Sequence, residues 1–304
     1  MTGTTRTGTV LILGASGLFG SRCAQAFAAT GWQIRRYQRG TDMNAAAIGA
    51  DVIVNGLNPP MYHDWARLIP QLTQQVLAAA KASGATVIVP GNVYPYGDQP
   101  GPWGPDTAQR PVSRKGHIRM EMETAHRTSG VQVIILRGGD FLDEAKPTTA
   151  MNMVTLKSAP KGKIALMGAP GVPRAYAYLP DMARAAVELA AIRARLAPYT
   201  DVPFAGLTFS MDDLRGELQR QTGRDFTYTA FPWWFMRVAS PFWELARELL
   251  EMRYLMDTPH RLDPAPMVAL LPDFKATAFA DVVAAHVGAL GLRPRNINPN
   301  RAMT

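Results

Sequence analysis

Near the start of this 304-residue chain, an apolar, β-branched stretch at residues 10–13 runs into a turn with three evenly spaced glycines, and a helical pattern follows directly. Glycines at this spacing let the chain turn sharply, let backbone approach a bound pyrophosphate and let the helix pack closely on the strand. The N–H groups and the dipole at the start of the helix favour a phosphate there. The sequence therefore predicts a dinucleotide site formed by Gly14, Ser16, Gly17, Leu18, Phe19 and Gly20.

The first half of the chain alternates predicted strands with predicted helices. The alternation is typical of right-handed βαβ units around a parallel sheet, which binds its ligand beyond the carboxyl ends of the strands. Asn55, Gly56 and Leu57 end one of these strands, so we expect them to contact the cofactor as well. The predicted strands cover 33–37, 51–57, 85–90 and 131–137, and the main helices cover 64–83 and 112–129.

Arginines rather than acids end the second predicted strand. NAD sites usually place an acidic residue here to hold the ribose 2′-hydroxyl, and no acid occurs before Asp42. A guanidinium suits a 2′-phosphate, because its planar fork donates several hydrogen bonds to one anion. The sequence thus predicts NADP(H), bound through Arg39 with Arg35 or Arg36 as helpers.

Composition excludes several classes of protein. The hydrophobic share of 47% is enough for a substantial core, and the formal charge of +8 comes from scattered arginines rather than a basic block interleaved with aromatics, which argues against nucleic acid. The single cysteine, Cys23, excludes an intramolecular disulfide and fits a reducing compartment. We expect a cytoplasmic protein with a small-molecule substrate and no metal, because neither a signal peptide, a membrane-spanning run nor metal-ligand spacing is recognisable.

Several motifs together resemble the short-chain dehydrogenase/reductase superfamily, and more closely its extended and atypical members, the epimerase/dehydratase-like proteins. They are the glycine turn at 14–20, Asn-Val-Tyr-Pro-Tyr-Gly at 92–97, Lys115 on the next helix, and Arg-Gly-Gly-Asp-Phe at 137–141. The resemblance covers about residues 9–195 and continues more loosely beyond. It implies an α/β fold, a Rossmann-type doubly wound parallel sheet with a smaller C-terminal substrate domain. It also allows a homodimer, with the oligomeric state left open.

The predicted domain division follows from this resemblance. Residues 1–145 with about 172–197 would form the dinucleotide-binding domain, and about 146–171 with 198–304 the substrate-binding region. Within these parts, Asp181 suits a helix N-cap. The aromatic-rich segment at 231–243 is interpreted either as a substrate lid or as a helix that buries its rings against the core.

The chain departs from the family at its catalytic signature, Tyr-x-x-x-Lys. If Lys115 is the lysine, Pro111 stands at the tyrosine position, and the serine expected at the end of the preceding strand is absent from 90–92. The resemblance implies that Lys115 holds the nicotinamide ribose. The proton would then come from Tyr94, from Tyr96 or from Lys115 itself.

Three functions remain open from the sequence. The first is an NADP-dependent oxidoreductase that transfers a hydride to or from a small organic substrate. The second is a sugar-type epimerase or dehydratase, which the missing tyrosine disfavours because both reactions begin by oxidising an alcohol. The third is a catalytically silent NADP-binding sensor.

Overall fold

A six-stranded parallel sheet organises the protein, and the computed structural model describes residues 8–292 of the chain. The strands are β1 (Thr9–Leu13), β2 (Gln33–Arg36), β3 (Val52–Asn55), β4 (Thr86–Gly91), β5 (Val133–Arg137), β6 (Asp140–Leu142), β7 (Lys163–Leu166), β8 (Arg174–Tyr178), β9 (Tyr199–Pro203), β10 (Leu207–Phe209) and β11 (Thr227–Ala230). The central sheet has the order β2-β1-β3-β4-β5-β9, and every neighbouring pair is parallel. The predicted α/β fold is confirmed.

Helices cover both faces of this sheet. They are α1 (Leu18–Ala29), α2 (Met43–Ala47), α3 (Trp65–Ser83), α4 (Arg114–Arg127), α5 (Leu179–Ala191), α6 (Met211–Thr222), α7 (Trp233–Ala239), α8 (Glu244–Glu251), α9 (Ala265–Leu270) and α10 (Phe279–Ala289). The alternation of side chains along β1 explains the two layers, since Val10 and Ile12 pack with α1 and α5 while Leu11 and Leu13 pack with α3 and α4.

A smaller unit lies beyond the sheet. It contains a three-stranded sheet of order β10-β8-β6 and a two-stranded parallel sheet of β11 and β7. Residues from α6 and α10, such as Leu214, Leu218 and Val283, close a separate apolar core over these strands. The protein thus has a layered α/β part and an attached α+β part, with a cleft between them.

Two details differ from the sequence prediction. β9 adds a sixth strand to the central sheet, although it lies beyond residue 197, the predicted end of the dinucleotide-binding part. The strand begins with Tyr-Thr-Asp, and this polar start weakens the apolar pattern around the buried Val202.

Asp181 is not an N-cap, because α5 already begins at Leu179. Its carboxylate instead accepts hydrogen bonds from Thr277 and Arg184. The predicted domain ends at residues 1 and 304 lie outside the described part of the chain.

Candidate active site

Three glycines allow three backbone segments to meet at the carboxyl edge of the sheet. Gly14 has a φ of +71°, and a Cβ on it would lie 2.6 Å from the carbonyl oxygen of Gly56. A Cβ on Gly20 would lie 2.3 Å from the Gly14 oxygen, and one on Gly56 would lie 2.8 Å from the Leu13 oxygen. Since these neighbours are backbone atoms, no side chain fits at any of the three positions.

Gly17 differs from the other glycines of the turn. It has ordinary extended backbone angles, with φ −72° and ψ 177°, and its N–H donates to the Gly14 oxygen at 2.9 Å. Ser16 and Gly17 are exposed, whereas the Phe19 side chain is buried in the core, so Phe19 can offer only its backbone. In the described chain no side chain caps the N-terminus of α1, and its first turn carries no acid. This end of the helix is therefore electropositive and accessible to an anion.

The sequence predicts a dinucleotide at this turn, so we expect Gly17→Val to raise the dissociation constant of that ligand at least tenfold, because the branched side chain would occupy the approach to the α1 N-terminus. The fold should survive, since the backbone angles are ordinary and the nearest atom to a new Cβ, the Gly14 oxygen, is 3.2 Å away. Cofactor titration and thermal unfolding measure the two effects. Gly216→Val, at an exposed position of α6, is the matched control, and equal affinity in both variants would contradict the prediction.

The three candidate arginines at the end of β2 occupy different surroundings. Arg35 donates to the carbonyl oxygen of Ile48 and is thereby held against the end of α2. Arg36 and Arg39 are exposed, and Arg39 precedes Gly40 at the turn that follows the strand. Arg39 thus has the freedom to approach a ligand at the sheet edge, while Arg35 already has a structural partner.

The end of β3 forms the neighbouring wall of the same edge. Asn55 is buried, and its side-chain oxygen accepts from the Leu57 N–H at 3.3 Å, which turns the chain outwards. Gly56 donates its N–H to the Leu13 oxygen at 2.9 Å. These contacts position the predicted Asn55–Gly56–Leu57 segment directly beside the glycine turn.

The segment after β4 holds two tyrosines in different roles. Tyr94 lines a cleft, and its hydroxyl lies 3.1 Å from the Tyr62 hydroxyl. Burial raises the pKa of Tyr94 well above its ordinary value. The Tyr96 hydroxyl instead donates to the Gly104 carbonyl oxygen at 3.1 Å, and its ring stacks on Trp103. Tyr96 is only 1% exposed, so this placement does not favour a role in proton transfer.

A buried network of ion pairs and hydrogen bonds holds the Tyr94 segment in place. The guanidinium of Arg137, at the end of β5, is fully buried and makes five hydrogen bonds to Glu123, Asp201 and the Asn92 carbonyl oxygen. The Asn92 side chain in turn accepts from the Tyr94 N–H at 3.1 Å. The network therefore ties β5 and α4 to the loop that carries Tyr94.

Lys115 has two carboxylate partners that the sequence did not reveal. Its ammonium group lies 2.5 Å from Glu248 and 2.6 Å from Glu251, both on α8, and its side chain is fully buried. The Glu251 carboxylate also accepts from the Lys115 backbone N–H, and although burial opposes it, these hydrogen bonds lower the pKa of Glu251. The Lys115 ammonium lies 5.1 Å from the centre of the Tyr62 ring. Lys115 thus joins α4 to the C-terminal part and supports Tyr62, rather than facing the cleft itself.

Two residues at the site were missed by the sequence reasoning. Tyr62 follows β3, and its place after a strand of the parallel sheet could have pointed to it. Arg119 lies one helical turn after Lys115, donates to the Asn58 side chain at 2.9 Å and stacks over Trp65. Its Nε is buried without a hydrogen-bond partner among the described residues, and burial lowers the pKa of this guanidinium. Helical spacing from Lys115 was the signal that could have found it.

The cleft between the two parts of the protein has a volume of about 670 Å³, part of which is open to solvent. Tyr62 and Tyr94 line its sheet side, and Trp233 lines the opposite side. The aromatic segment at 231–243 was interpreted either as a substrate lid or as a helix that buries its rings, and neither interpretation describes all of it. Trp233 faces the cleft and donates to the Met167 carbonyl oxygen, whereas Phe242 is 94% exposed.

No group of three or more His, Cys, Asp or Glu side chains among the described residues is arranged to hold a metal ion. Within residues 8–292, no helix combines the length and the apolar character needed to cross a bilayer.

Comparison with known proteins identifies the fold. No protein-family model and no curated protein matches the chain. Among solved structures, MoeE5 in complex with UDP-glucose and NAD matches with a TM-score of 0.74 and 15% identity, covering 93% of this chain and 98% of that one. UDP-glucose 4-epimerase from Brucella ovis, solved with NAD, matches with a TM-score of 0.72 and 19% identity over 95% and 100%. UDP-glucuronic acid 4-epimerase from Bacillus cereus has a TM-score of 0.69 and 17% identity over 93% and 99%.

These similarities extend over both parts of the molecule. They confirm the Rossmann-type fold and, at the level of the fold, the resemblance to extended epimerase/dehydratase-like proteins. At identities below 20% they show the architecture alone.

Proposed function

We propose that the protein is an NADP(H)-dependent oxidoreductase that reduces a small organic carbonyl compound in the cleft, with Tyr94 as the proton donor. The observation that carries this proposal is the shared position of two features at one edge of the sheet. The uncapped, glycine-lined start of α1 follows β1, and the Tyr94–Tyr62 hydroxyl pair follows β4 and β3. Parallel strands bring both features to the ligand-binding edge.

The residues present fit a dinucleotide. Backbone N–H groups from Leu18 onwards would hold the pyrophosphate, Arg39 with Arg36 would hold the 2′-phosphate, and residues 55–57 would line the adenosine side. The nicotinamide ring supplies the hydride when the cofactor is bound. That the structural neighbours were solved with NAD supports a nicotinamide dinucleotide here, and the arginines at β2 support the phosphorylated form.

Tyr94 suits the role of an acid better than that of a base. As the carbonyl carbon receives the hydride, the oxygen becomes basic, and the Tyr94 hydroxyl would donate its proton to that oxygen. Because burial raises the pKa of Tyr94, the phenol stays protonated throughout the neutral range. Tyr62 keeps that hydroxyl in place through the hydrogen bond between the two phenols. Lys115, with its two carboxylate partners, acts as a positioning residue behind Tyr62.

A sugar epimerase or dehydratase is the second candidate, and the specific observation in its favour is the full-length similarity to UDP-sugar epimerases. Such an enzyme must first remove a proton from an alcohol. In this chain Pro111 stands at the position of the family tyrosine that would accept this proton, which is why we place the reductase first.

The proposal is tested by following NADPH oxidation with a panel of ketones, aldehydes and imines, and by offering UDP-glucose and UDP-glucuronic acid with NAD(P)⁺. We expect carbonyl-dependent NADPH oxidation. Epimerised UDP-sugar would favour the second candidate. Tight NADPH binding with no turnover on any substrate would contradict both and favour an NADP-binding sensor.

We expect Arg39→Ala to weaken NADPH binding roughly tenfold to a hundredfold and to leave NADH binding almost unchanged, because it removes a charge-assisted contact to the 2′-phosphate alone. Titration of both cofactors measures the difference. Arg195→Ala is the matched control, since exposed Arg195 precedes β9 at the opposite edge of the sheet. Tighter binding of NADH than of NADPH by the unaltered protein would overturn the assignment.

A further inference from the structure

Apolar side chains form most of the cleft lining. Four methionines, three other aliphatic side chains, Phe141 and Trp233 contribute to it, and the polar lining consists of three tyrosines, Thr155, Asp140 and Arg174. Methionine side chains adapt to irregular shapes and make favourable contacts with aromatic rings. The apolar lining residues from the smaller unit include Met151, Met167, Trp233, Leu249, Met252 and Met256.

The charged groups of the cleft already neutralise each other. Arg174 is the only cationic residue among those lining the cleft, and Asp140 is the only anionic one. The guanidinium of Arg174 lies 3.2 Å from the Asp140 carboxylate and donates to the Tyr176 hydroxyl at 2.7 Å. A ligand with a diphosphate carries two negative charges that would need cationic partners, and bringing it here would leave those charges uncompensated.

We infer from this lining that the substrate of the cleft is an uncharged, hydrophobic carbonyl compound with an aryl or a branched hydrocarbon group, and not a nucleoside diphosphate sugar. The inference rests on the proposed reductase function and names its substrate class. The hydrocarbon part would contact the methionines and Trp233, while the carbonyl oxygen would approach the Tyr94 hydroxyl. Apolar contact supplies affinity in proportion to the area removed from water, so size and hydrophobicity should set the affinity.

Binding is measured by calorimetry on the NADP⁺-loaded protein with three probes: 4-phenyl-2-butanone, 2-butanone and UDP-glucose. We expect 4-phenyl-2-butanone to bind at least tenfold more tightly than 2-butanone, because the phenyl ring adds apolar contact. UDP-glucose should show no saturable binding and should not displace the aryl ketone. Equal affinity for the two ketones, no binding of either, or saturable binding of UDP-glucose would overturn the inference.

Two methionine variants locate the binding surface. Met167→Gln keeps the length of a cleft side chain but adds a polar amide, and it should weaken 4-phenyl-2-butanone binding roughly fivefold to tenfold without changing NADPH affinity. Met153→Gln is the matched control, because Met153 is 41% exposed and lies outside the cleft lining. Equal ketone affinity in the two variants would show that this cleft is not the binding surface.

The same measurements separate a failure of this inference from a failure of the proposed function. If the aryl ketone binds in the cleft but no carbonyl compound supports NADPH oxidation, the reductase assignment is wrong and the hydrophobic character of the ligand stands. If NADPH is oxidised only with small or charged carbonyl compounds, the reductase assignment stands and the hydrophobic substrate class is wrong.

Discussion

Tyr94→Phe is expected to lower the rate of carbonyl reduction about 10²- to 10⁴-fold, the usual contribution of a general acid, while NADPH still binds. Tyr94 lines the cleft, and the hydroxyl that is lost is the one paired with Tyr62. Single-turnover oxidation of NADPH measures the chemical step directly. Since burial raises the pKa of Tyr94, the rate for the unaltered protein should show no loss of this acid as the pH rises through the neutral range to about 9.

Tyr96→Phe is the matched control for this experiment. It removes the same atom two residues away, but the Tyr96 hydroxyl donates to the Gly104 carbonyl oxygen and does not line the cleft. Its rate should stay within a few-fold of the unaltered protein, with at most a modest loss of stability. If both variants react equally fast, or if Tyr96→Phe is the slower one, Tyr94 is not the proton donor.

Arg137→Met is expected to lower the free energy of unfolding by about 3–5 kcal/mol, because it leaves Glu123 and Asp201 buried beside each other without their cation. Urea unfolding followed by circular dichroism measures the loss. The Asn92 carbonyl oxygen also loses its donor, so the Tyr94 loop should become more susceptible to proteolysis. Arg220→Met, which breaks the exposed pair with Glu217, is the control and should change stability little.

The pH dependence of this variant has a defined sign. Burial raises the pKa of Asp201 even with Arg137 present, and removal of Arg137 should raise it further. A carboxyl whose pKa is higher in the folded state than in the unfolded state binds more protons when folded, so it destabilises the fold as the pH rises. The loss in the free energy of unfolding caused by Arg137→Met should therefore be largest near pH 8 and smaller near pH 5. A deficit that is the same at both values, or below about 1 kcal/mol, would contradict the role given to Arg137.

The sequence alone was sufficient for the α/β part of the fold. The helices predicted at 64–83 and 112–129 occur at Trp65–Ser83 and Arg114–Arg127, because their apolar spacing and their terminating glycines are local signals. β9 and the start of α5 were less accessible. β9 is short and begins with polar residues, and α5 has a proline in its first turn. The positions of both therefore depend on the packing around them.

The candidate site was predictable where a single stretch of backbone forms it. The turn at 14–20 needs only its own glycines and the strand and helix around them, so its spacing could be interpreted directly. The sequence narrowed the proton donor only to Lys115, Tyr94 and Tyr96. Tyr94 and Tyr96 follow β4 and Lys115 lies at the start of α4, so the sequence places all three near the predicted ligand-binding edge of the sheet. Their separate environments arise from contacts with Gly104, Tyr62 and α8.

Local patterns in the sequence thus determined the parallel sheet, the glycine turn before α1 and the basic end of β2, since each depends on residues within a few positions of one another. Only the tertiary structure decided which charges are neutralised and which face a ligand. Lys115 meets Glu248 and Glu251 across 133 and 136 positions of the chain, and Arg174 meets Asp140 across 34. Such partners are chosen by how whole helices and strands pack, and packing joins residues whose sequence spacing carries no signal.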